Sequence, residues 1–299
     1  MTSKPKRLRK PEWLRVHLPH GQETEHIGSI KNNAHLCTVC EEAKCPNRHE
    51  CWSSGTATFM LFGEYCTRSC KFCSVKTIKN PPPLDPSEPQ KVAQAVLKMN
   101  LDYVVITSVD RDDLPDKGSQ HFAQTIREIK SIKPDISIEV LIPDYIGEDL
   151  KKIVEAKPDV IAHNIEVVKR LLPTICDKRQ TWSKSLNVLK EIKLLDPEIF
   201  TKSSLMVGVG ETKEDLIQAF DELRQVDCDF LTIGQYLQPT RKQMDVERYV
   251  HPDEFKEYEQ IGLAKGFKYI ASGPLVRSSY KAGEFFIRNL LINKKKTSE

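Results

Sequence analysis

The 299-residue sequence has no run approaching the roughly 18 consecutive apolar residues of a membrane span. Neither sign of charge dominates: 45 Lys and Arg stand against 42 Asp and Glu, a net of +3. That balance argues against a dedicated nucleic-acid binder, whose basic residues are in clear excess. No apolar stretch follows the basic residues 1–15 (MTSKPKRLRKPEWLR), so no secretory signal is read there. Pro5, Pro11 and Pro19 interrupt an amphipathic presequence helix, and the expected location is cytoplasmic. Gly-x-Gly-x-x-Gly at the head of a helix and Gly-Lys-Ser/Thr are both missing, which excludes the phosphate cradles built from them.

What the sequence has instead is cysteine in one place. Of nine cysteines, Cys37, Cys40, Cys45, Cys51, Cys66, Cys70 and Cys73 fall within residues 37–73, where even scatter would leave about one. A disulfide-stapled module is the rival explanation, but a chain of this length buries an ample core without staples. In a reducing compartment such a cluster points to metal or catalysis.

Downstream, β-branched apolar runs alternate with amphipathic stretches. Strands are predicted at Thr56–Phe62, Tyr103–Thr107, Ile136–Ile142, Val160–His163, Ser203–Val209 and Phe230–Gln235, with a further one at Phe267–Ala271. Helices are predicted from Ser87, with Gln90 completing a capping box, over Ser119–Ile132, and over Thr212–Val226 with Thr212 and Asp215 as its box. Six β/α units and a seventh strand suit an α/β fold, a partial TIM-type (β/α)6 barrel; a doubly wound sheet is the alternative. Residues 1–54 and 273–299 lack this rhythm and are expected to wrap the barrel mouth around a 55–272 core, with Lys294–Lys296 as a solvated tail.

CTRSCKFC (66–73) follows the first barrel strand directly, at the face where barrel enzymes place their chemistry. Its three thiolates fall one short of the four that close a cubane, leaving one iron open; structural zinc favours four ligands in paired knuckles. The motif, with Phe72 before its last cysteine, resembles the signature of the radical S-adenosylmethionine (SAM) superfamily. The resemblance implies that Cys66, Cys70 and Cys73 hold a [4Fe–4S] cluster whose open iron chelates SAM. One electron then cleaves SAM to methionine and a 5′-deoxyadenosyl radical.

Upstream, CEEAKCPNRHEC (40–51) supplies a second triplet, Cys40, Cys45 and Cys51, opening with a Cys-x4-Cys spacing known from iron–sulfur proteins. With GTATFM, TSVDRDDL (107–114), LMVGVGET (205–212), IGQYLQPT (233–240), GPLVRSSY (273–280) and KPEWL (10–14), the chain resembles the lipoyl synthase family from about residue 30 to 282. That resemblance implies a second, auxiliary [4Fe–4S] cluster on Cys40, Cys45 and Cys51, with Ser279 as its fourth ligand and Ser278 as the alternative. A serine oxygen is a harder donor than thiolate and suits a soft iron site poorly, so it is releasable when the cluster gives up its sulfides. By itself, RSSY reads rather as an ordinary polar C-terminal turn.

The family's reaction, so implied, inserts sulfur at carbons 6 and 8 of an octanoyl chain amide-linked to a lysine of a lipoyl carrier domain. Such domains belong to 2-oxoacid dehydrogenase E2 subunits and the glycine-cleavage H protein; a low-potential electron donor is also required. Neither nucleic acid nor membrane is expected as a partner. Another sulfur-inserting radical SAM enzyme (biotin-synthase-like or methylthiotransferase) is the nearest alternative, and an iron–sulfur scaffold or electron carrier is a more distant one.

Further candidates end strands. Ser108, Asp110 and Arg111 follow the second strand and Asn164 the fourth; Gly208, Gly210 and Glu211 follow the fifth. All are candidates for contact with SAM or the substrate amide, against the plainer readings of a charged loop and a strand-to-helix turn. His163 reads equally as a satisfied core histidine. Cys37 forms a Cys-x-x-Cys with Cys40, either a redox or zinc pair or an incidental neighbour, while Cys176 and Cys228 read as packing residues. Apolar lumen-facing residues are expected to line a channel for the eight carbons.

Overall fold

The computed structural model describes residues 8–15, 22–53, 58–101 and 103–279. Residues 1–7 with Pro5, as well as Pro19, Thr56, Tyr280 of the RSSY motif and Lys294–Lys296, lie outside them. A short 3-10 turn (Glu12–Leu14) precedes α1 (Gln22–Ala34), β1 (Cys37–Thr38), α2 (Val39–Glu42) and α3 (Arg48–Ser53). Next come β2 (Thr58–Leu61) and a small pair, β3 (Tyr65–Cys66) and β4 (Lys76–Thr77). The alternation then runs α4 (Glu88–Lys98), β5 (Tyr103–Ser108), α5 (Ser119–Ile132), β6 (Ser137–Leu141), α6 (Glu148–Glu155) and β7 (Val160–Ala162). It continues with α7 (Leu172–Ile175), α8 (Trp182–Leu195), β8 (Phe200–Val207), α9 (Lys213–Gln225), β9 (Phe230–Gln235), α10 (Pro252–Ala264) and β10 (Tyr269–Gly273).

Seven strands pair in parallel in the order β2-β5-β6-β7-β8-β9-β10, and β1 adds antiparallel to β2 with Cys37 opposite Met60. Among the described residues the sheet does not close, as expected of a partial barrel. Parallel strands are covered on both faces, so apolar residues occupy both parities of strands such as Tyr103–Ser108 and Val160–Ala162, while Phe200–Val207 also carries buried polar residues. One set (Ile106, Ile138, Val140, Ile161, Leu205, Leu231, Ile233) joins the continuous core with Phe122 and Ile126 of α5, Leu189 of α8 and Phe220 of α9. The alternate set turns inward. Tyr103, Val105, Val160 and Phe230 form a separate cluster near the strand starts, flanked by Phe200 and Tyr269. Beside them Lys202 donates to both Glu139 oxygens (2.7 and 2.9 Å), and Tyr103 donates to the same carboxylate at 2.5 Å. This end of the lumen is therefore filled, and the expected apolar channel does not run through it.

Two expected caps come out differently. Thr212 accepts from the Asp215 N–H at 3.2 Å and Asp215 from the Thr212 N–H at 2.9 Å, the capping box anticipated for α9. At α4 the box is absent: the Ser87 hydroxyl donates to Asp85 at 2.6 Å, and Gln90 reaches Glu128. Asp85, two residues upstream, also takes the Ser87 N–H in an Asx turn that outcompetes the serine cap.

The two extensions meet across the open side of the barrel. After β10 the chain crosses Gly234 of β9, where an added Cβ would lie 2.1 Å from the Val276 carbonyl oxygen. Only glycine leaves room for that crossing. Asn47 Nδ2 then donates to the Leu275 carbonyl at 2.6 Å, and Thr58 Oγ1 donates to Ser279 Oγ at 3.0 Å. Among the described residues no helix is long and apolar enough to cross a membrane.

Candidate metal centre and adjoining cavity

Cys66 ends β3, and Cys70 and Cys73 follow on the loop between β3 and β4. The three are electrostatic neighbours: Cys73 feels Cys66, and Cys70 feels Cys73. Burial pushes the Cys70 thiol up to about 12 and the Cys73 thiol to about 11, with Cys66 raised as well. As thiols they are inert; a bound cation reverses that, because a coordinating thiol is deprotonated outright. Two sulfurs already accept backbone N–H groups, Cys66 Sγ from Arg68 at 3.4 Å and Cys70 Sγ from Asp177 at 3.3 Å.

Arg68, inside the motif, holds the loop to the barrel. It is 7% exposed, grips Asp112 with Nε and Nη2 (both 2.9 Å), and meets Asp144 at 2.6 Å and Asp110 at 3.3 Å. These three acids sit beyond β5 and β6, so one guanidinium fastens two strand ends to the cysteine loop. On the far side, Met244 N donates to the Lys71 carbonyl at 3.1 Å and Gln243 Nε2 to the Cys73 carbonyl, also at 3.1 Å.

Beside the loop lies a cavity of about 120 Å³ lined by Arg68, Ser108, Asp110, Asp144, Asn164 and Glu166, among others. Ser108 Oγ and Asn164 Oδ1 are buried with no hydrogen-bond partner, and such orphaned atoms cost free energy unless a ligand or water satisfies them. Desolvation raises the Asp110 carboxyl to about 6 despite Arg68, and the Glu166 carboxyl to about 7. Backbone N–H groups aimed at two sulfurs and orphaned oxygens next door fit a metal cluster on the thiols with a polar ligand beside it.

Not every candidate reaches this cavity. Ser108, Asp110 and Asn164 do; Arg111 does not line it, and folds back onto Asp113 with two 2.8 Å hydrogen bonds. Glu211 accepts the backbone N–H groups of Gly208 (2.8 Å) and Val209 (2.9 Å), closing its own turn. A Cβ on Gly208 would strike the Gln235 amide and the Arg248 carbonyl, so the close approach there is to protein. Gly210, with φ +105°, serves the same turn. His163 lines the wall as a satisfied core histidine, Nδ1 on the Ile142 carbonyl (3.0 Å) and Nε2 on Ser185 (3.3 Å), kept neutral by burial. Glu166, Asp144 and Arg68 were not singled out from the sequence. Glu166 hides in HNIE as a strand continuation, and Arg68 stood in plain view between two candidate ligands.

The second triplet is compact. Cys40 lies on α2, Cys45 N donates back to the Cys40 carbonyl at 3.1 Å, and Cys51 lies on α3 with its N–H on Asn47 O at 2.9 Å. Burial raises the Cys40 thiol, partly offset by the Thr58 backbone and the Trp52 indole N–H. That N–H faces the sulfur too loosely for a full hydrogen bond and has no other partner. Thr58 thus touches both Cys40 and Ser279. Arg277 of the RSSY segment is half-buried, with its charge facing Cys45. Ser74, the residue after Cys73, donates to the Glu42 carbonyl between Cys40 and Cys45 at 2.6 Å, tying the two cysteine loops together. Cys37, whose thiol burial raises to about 11, packs against the core, and all nine cysteines are free of disulfides. Cys228 is fully buried, and Cys176 is buried next to Cys70. Among the described residues no three His, Cys, Asp or Glu side chains converge on a single ion.

Family models match at two places: the radical SAM superfamily over residues 60–223, and the N-terminal domain of lipoyl synthase of the radical SAM family over residues 1–45. The chain is 54% identical over 285 residues to the lipoyl synthase of Myxococcus xanthus (strain DK1622), covering 95% of each. It is 48% identical over 299 residues to the mitochondrial lipoyl synthase of Homo sapiens, covering 98% of this chain and 80% of that one. Among solved structures, the FeFe-hydrogenase maturase HydG from Carboxydothermus hydrogenoformans shares the fold, with TM-score 0.60 at 13% identity over 82% of this chain and 65% of that one. Streptococcus suis SuiB bound to S-adenosylmethionine does likewise, with TM-score 0.56 at 10% identity over 75% of this chain and 53% of that one.

Proposed function

The chain belongs to the lipoyl synthase family of the radical SAM superfamily, and on that premise we propose that it inserts sulfur at carbons 6 and 8 of an octanoyl-lysine on a lipoyl carrier domain. The observation that carries this reading is the Ser74–Glu42 hydrogen bond, which fixes the two cysteine loops side by side. Radical generation and sulfur donation have to meet on one alkyl chain. When bound, one cluster with SAM supplies the hydrogen-abstracting radical and the other supplies sulfide.

The protein's part is holding, orienting and excluding. Cys66, Cys70 and Cys73 hold the first cluster; Cys40, Cys45 and Cys51, with Ser279, hold the second. Thr58 holds the Ser279 hydroxyl beside the second triplet, and as the hardest donor in its set that oxygen is the one most readily released. Ser108 and Asn164 present their unpaired oxygens to the polar atoms of SAM, and Glu166 adds a carboxyl whose charge depends on the ligand beside it. Arg68 keeps Asp112 and Asp144 paired, so the cavity wall stays rigid.

The target carbons are unactivated, and no general base could take their hydrogens, so neither Asp110 nor Glu166 acts as a base on the substrate. With the lower lumen filled, the octanoyl chain enters from the side where the two triplets lie. The fixed geometry there makes the insertion intramolecular. From the 1–54 extension Cys40, Cys45 and Cys51, and from the 273–299 extension Ser279, serve the second cluster, while the core between them forms the barrel.

The test is direct. Reduced, iron-loaded protein incubated with SAM and an octanoyl-lysyl peptide should yield a peptide carrying two added sulfurs by mass spectrometry. The loaded chain should hold about eight irons. A plateau near four, or a peptide gaining no sulfur while SAM is cleaved, would refute the two-cluster reading.

A further inference from the structure

The loop after α7 packs on the cysteine loop with a pattern that the binding of SAM and substrate does not use. The Asp177 carboxylate, with its side chain only 6% exposed, accepts the backbone N–H of Ser69 at 3.1 Å, between Cys66 and Cys70. Its own backbone N–H donates to Cys70 Sγ at 3.3 Å. Lys71 N donates to the Ile175 carbonyl at 2.9 Å. Arg179 then locks the arrangement: Nε and Nη2 clasp the two Asp177 oxygens at 2.8 and 3.0 Å, and Nη2 also donates to the Thr67 carbonyl at 2.7 Å. A further contact to Asp112 at 3.2 Å joins this group to the Arg68 network.

We infer that Asp177 and Arg179 are positioning residues for Cys70: they hold a backbone N–H on its sulfur and so raise the reduction potential of the cluster that sulfur ligates. The inference rests on the assignment of Cys66, Cys70 and Cys73 made above. The physical basis is that a reduced cluster carries one more negative charge than the oxidised one. A donor aimed at a ligating sulfur stabilises the reduced form more, and hydrogen bonds to sulfur are among the levers that set such potentials. Burial strengthens the effect, because a fixed dipole in a poorly solvated site is weakly screened. Arginine is required for its fork: both Asp177 oxygens and a main-chain carbonyl are taken by one rigid plane, which a lysine cannot reproduce.

Arg179 gives the cleanest test because both consequences of losing it have the same sign. Arg179→Gln removes a positive charge near the cluster and frees Asp177 to drift, which weakens the N–H···S contact; each lowers the potential. Loaded full-length protein is poised at a series of ambient potentials, and the paramagnetic signal of the reduced cluster is followed. The signal that changes when SAM is added identifies the cluster on Cys66, Cys70 and Cys73.

At the wild-type midpoint, Arg179→Gln should show the reduced-to-oxidised ratio down about tenfold, equivalent to about 59 mV for a one-electron couple. Arg179→Lys keeps the charge but not the fork, and should move the same way by less. Lys265→Gln removes a surface charge paired with Asp221 on the outer helices, and should move nothing. Iron content must match wild type, which separates tuning from misfolding. If Arg179→Gln does not load, Arg179→Lys is judged by the same direction of shift. An unchanged ratio at full iron occupancy, or an equal shift in Lys265→Gln, overturns the inference. A wild-type chain with no SAM-responsive signal overturns the ligand assignment itself, and the inference with it.

Discussion

Arg68→Gln is the most informative single perturbation of the site's framework. The guanidinium serves three carboxylates at once, Asp112 through two nitrogens, Asp144 at 2.6 Å and Asp110 at 3.3 Å. Asp144 is 2% exposed, so an uncharged side chain removes the close counter-charge of a buried anion and leaves it only Lys184, at 3.9 Å. Breaking a buried pair this way costs about 3–5 kcal/mol. With an unfolding entropy of ~2.1 cal/mol/K per residue, a 299-residue chain loses about 5–8 °C in Tm.

The deficit should also depend on pH in a fixed direction. Desolvation already lifts the Asp110 carboxyl from 3.8 to about 6 with Arg68 present, and without Arg68 it rises further. A carboxyl whose pKa is raised on folding contributes stability below its unfolded pKa and loses it as pH climbs through the folded one. The gap between variant and wild type should thus be widest near pH 8 and close as the pH falls toward 5. Thermal unfolding of reduced, cluster-free protein by circular dichroism across that range measures it. A Tm loss under about 2 °C, or a gap that widens on acidification, would show that the network does not carry the load assigned to it.

Glu166→Gln should act in the opposite sense above neutrality. The native carboxyl is raised from 4.5 to about 7 by burial, so ligand-free wild type loses up to about 3 kcal/mol between those values as pH rises. The variant's stability curve should be flatter there, and an unchanged slope by chemical denaturation contradicts the assignment. Ser279→Ala should leave 5′-deoxyadenosine formation intact while abolishing sulfur insertion, read by chromatography and mass spectrometry on one sample. If Ser278→Ala does this and Ser279→Ala does not, the ligand is Ser278. Gly234→Ala drives a Cβ to 2.1 Å from the Val276 carbonyl oxygen, displacing the segment that delivers Ser279. Iron content should fall from about eight toward about four per chain, and full loading would mean the segment is not needed to hold the second cluster.

Several features of this protein could be read without coordinates because they are local in the chain. Strand residues such as 103–106 and 160–162 are apolar at both parities, since parallel strands are covered on both faces. The Thr212–Asp215 box needs only three residues of separation. Cysteine spacing within 66–73 limits how far apart three thiols can lie, whatever the rest of the chain does. Where local signals competed, reading by pattern failed: Ser87 was an acceptable cap, but Asp85 offered it a nearer partner. Glu211 looked available to a ligand, and its carboxylate is spent on its own turn.

What the sequence determined by itself was the order of the elements and the presence of two incomplete thiolate sets, because both follow from near-neighbour stereochemistry and spacing. Only the tertiary structure decided that Thr58 meets Ser279 across 221 residues, that Asp177 reaches Cys70 across 107, and that Asp110, Asp112 and Asp144 share one arginine. Those meetings depend on sheet register and on how the open barrel curls, each the sum of many small packing energies spread over the whole chain. No short stretch of residues contains them.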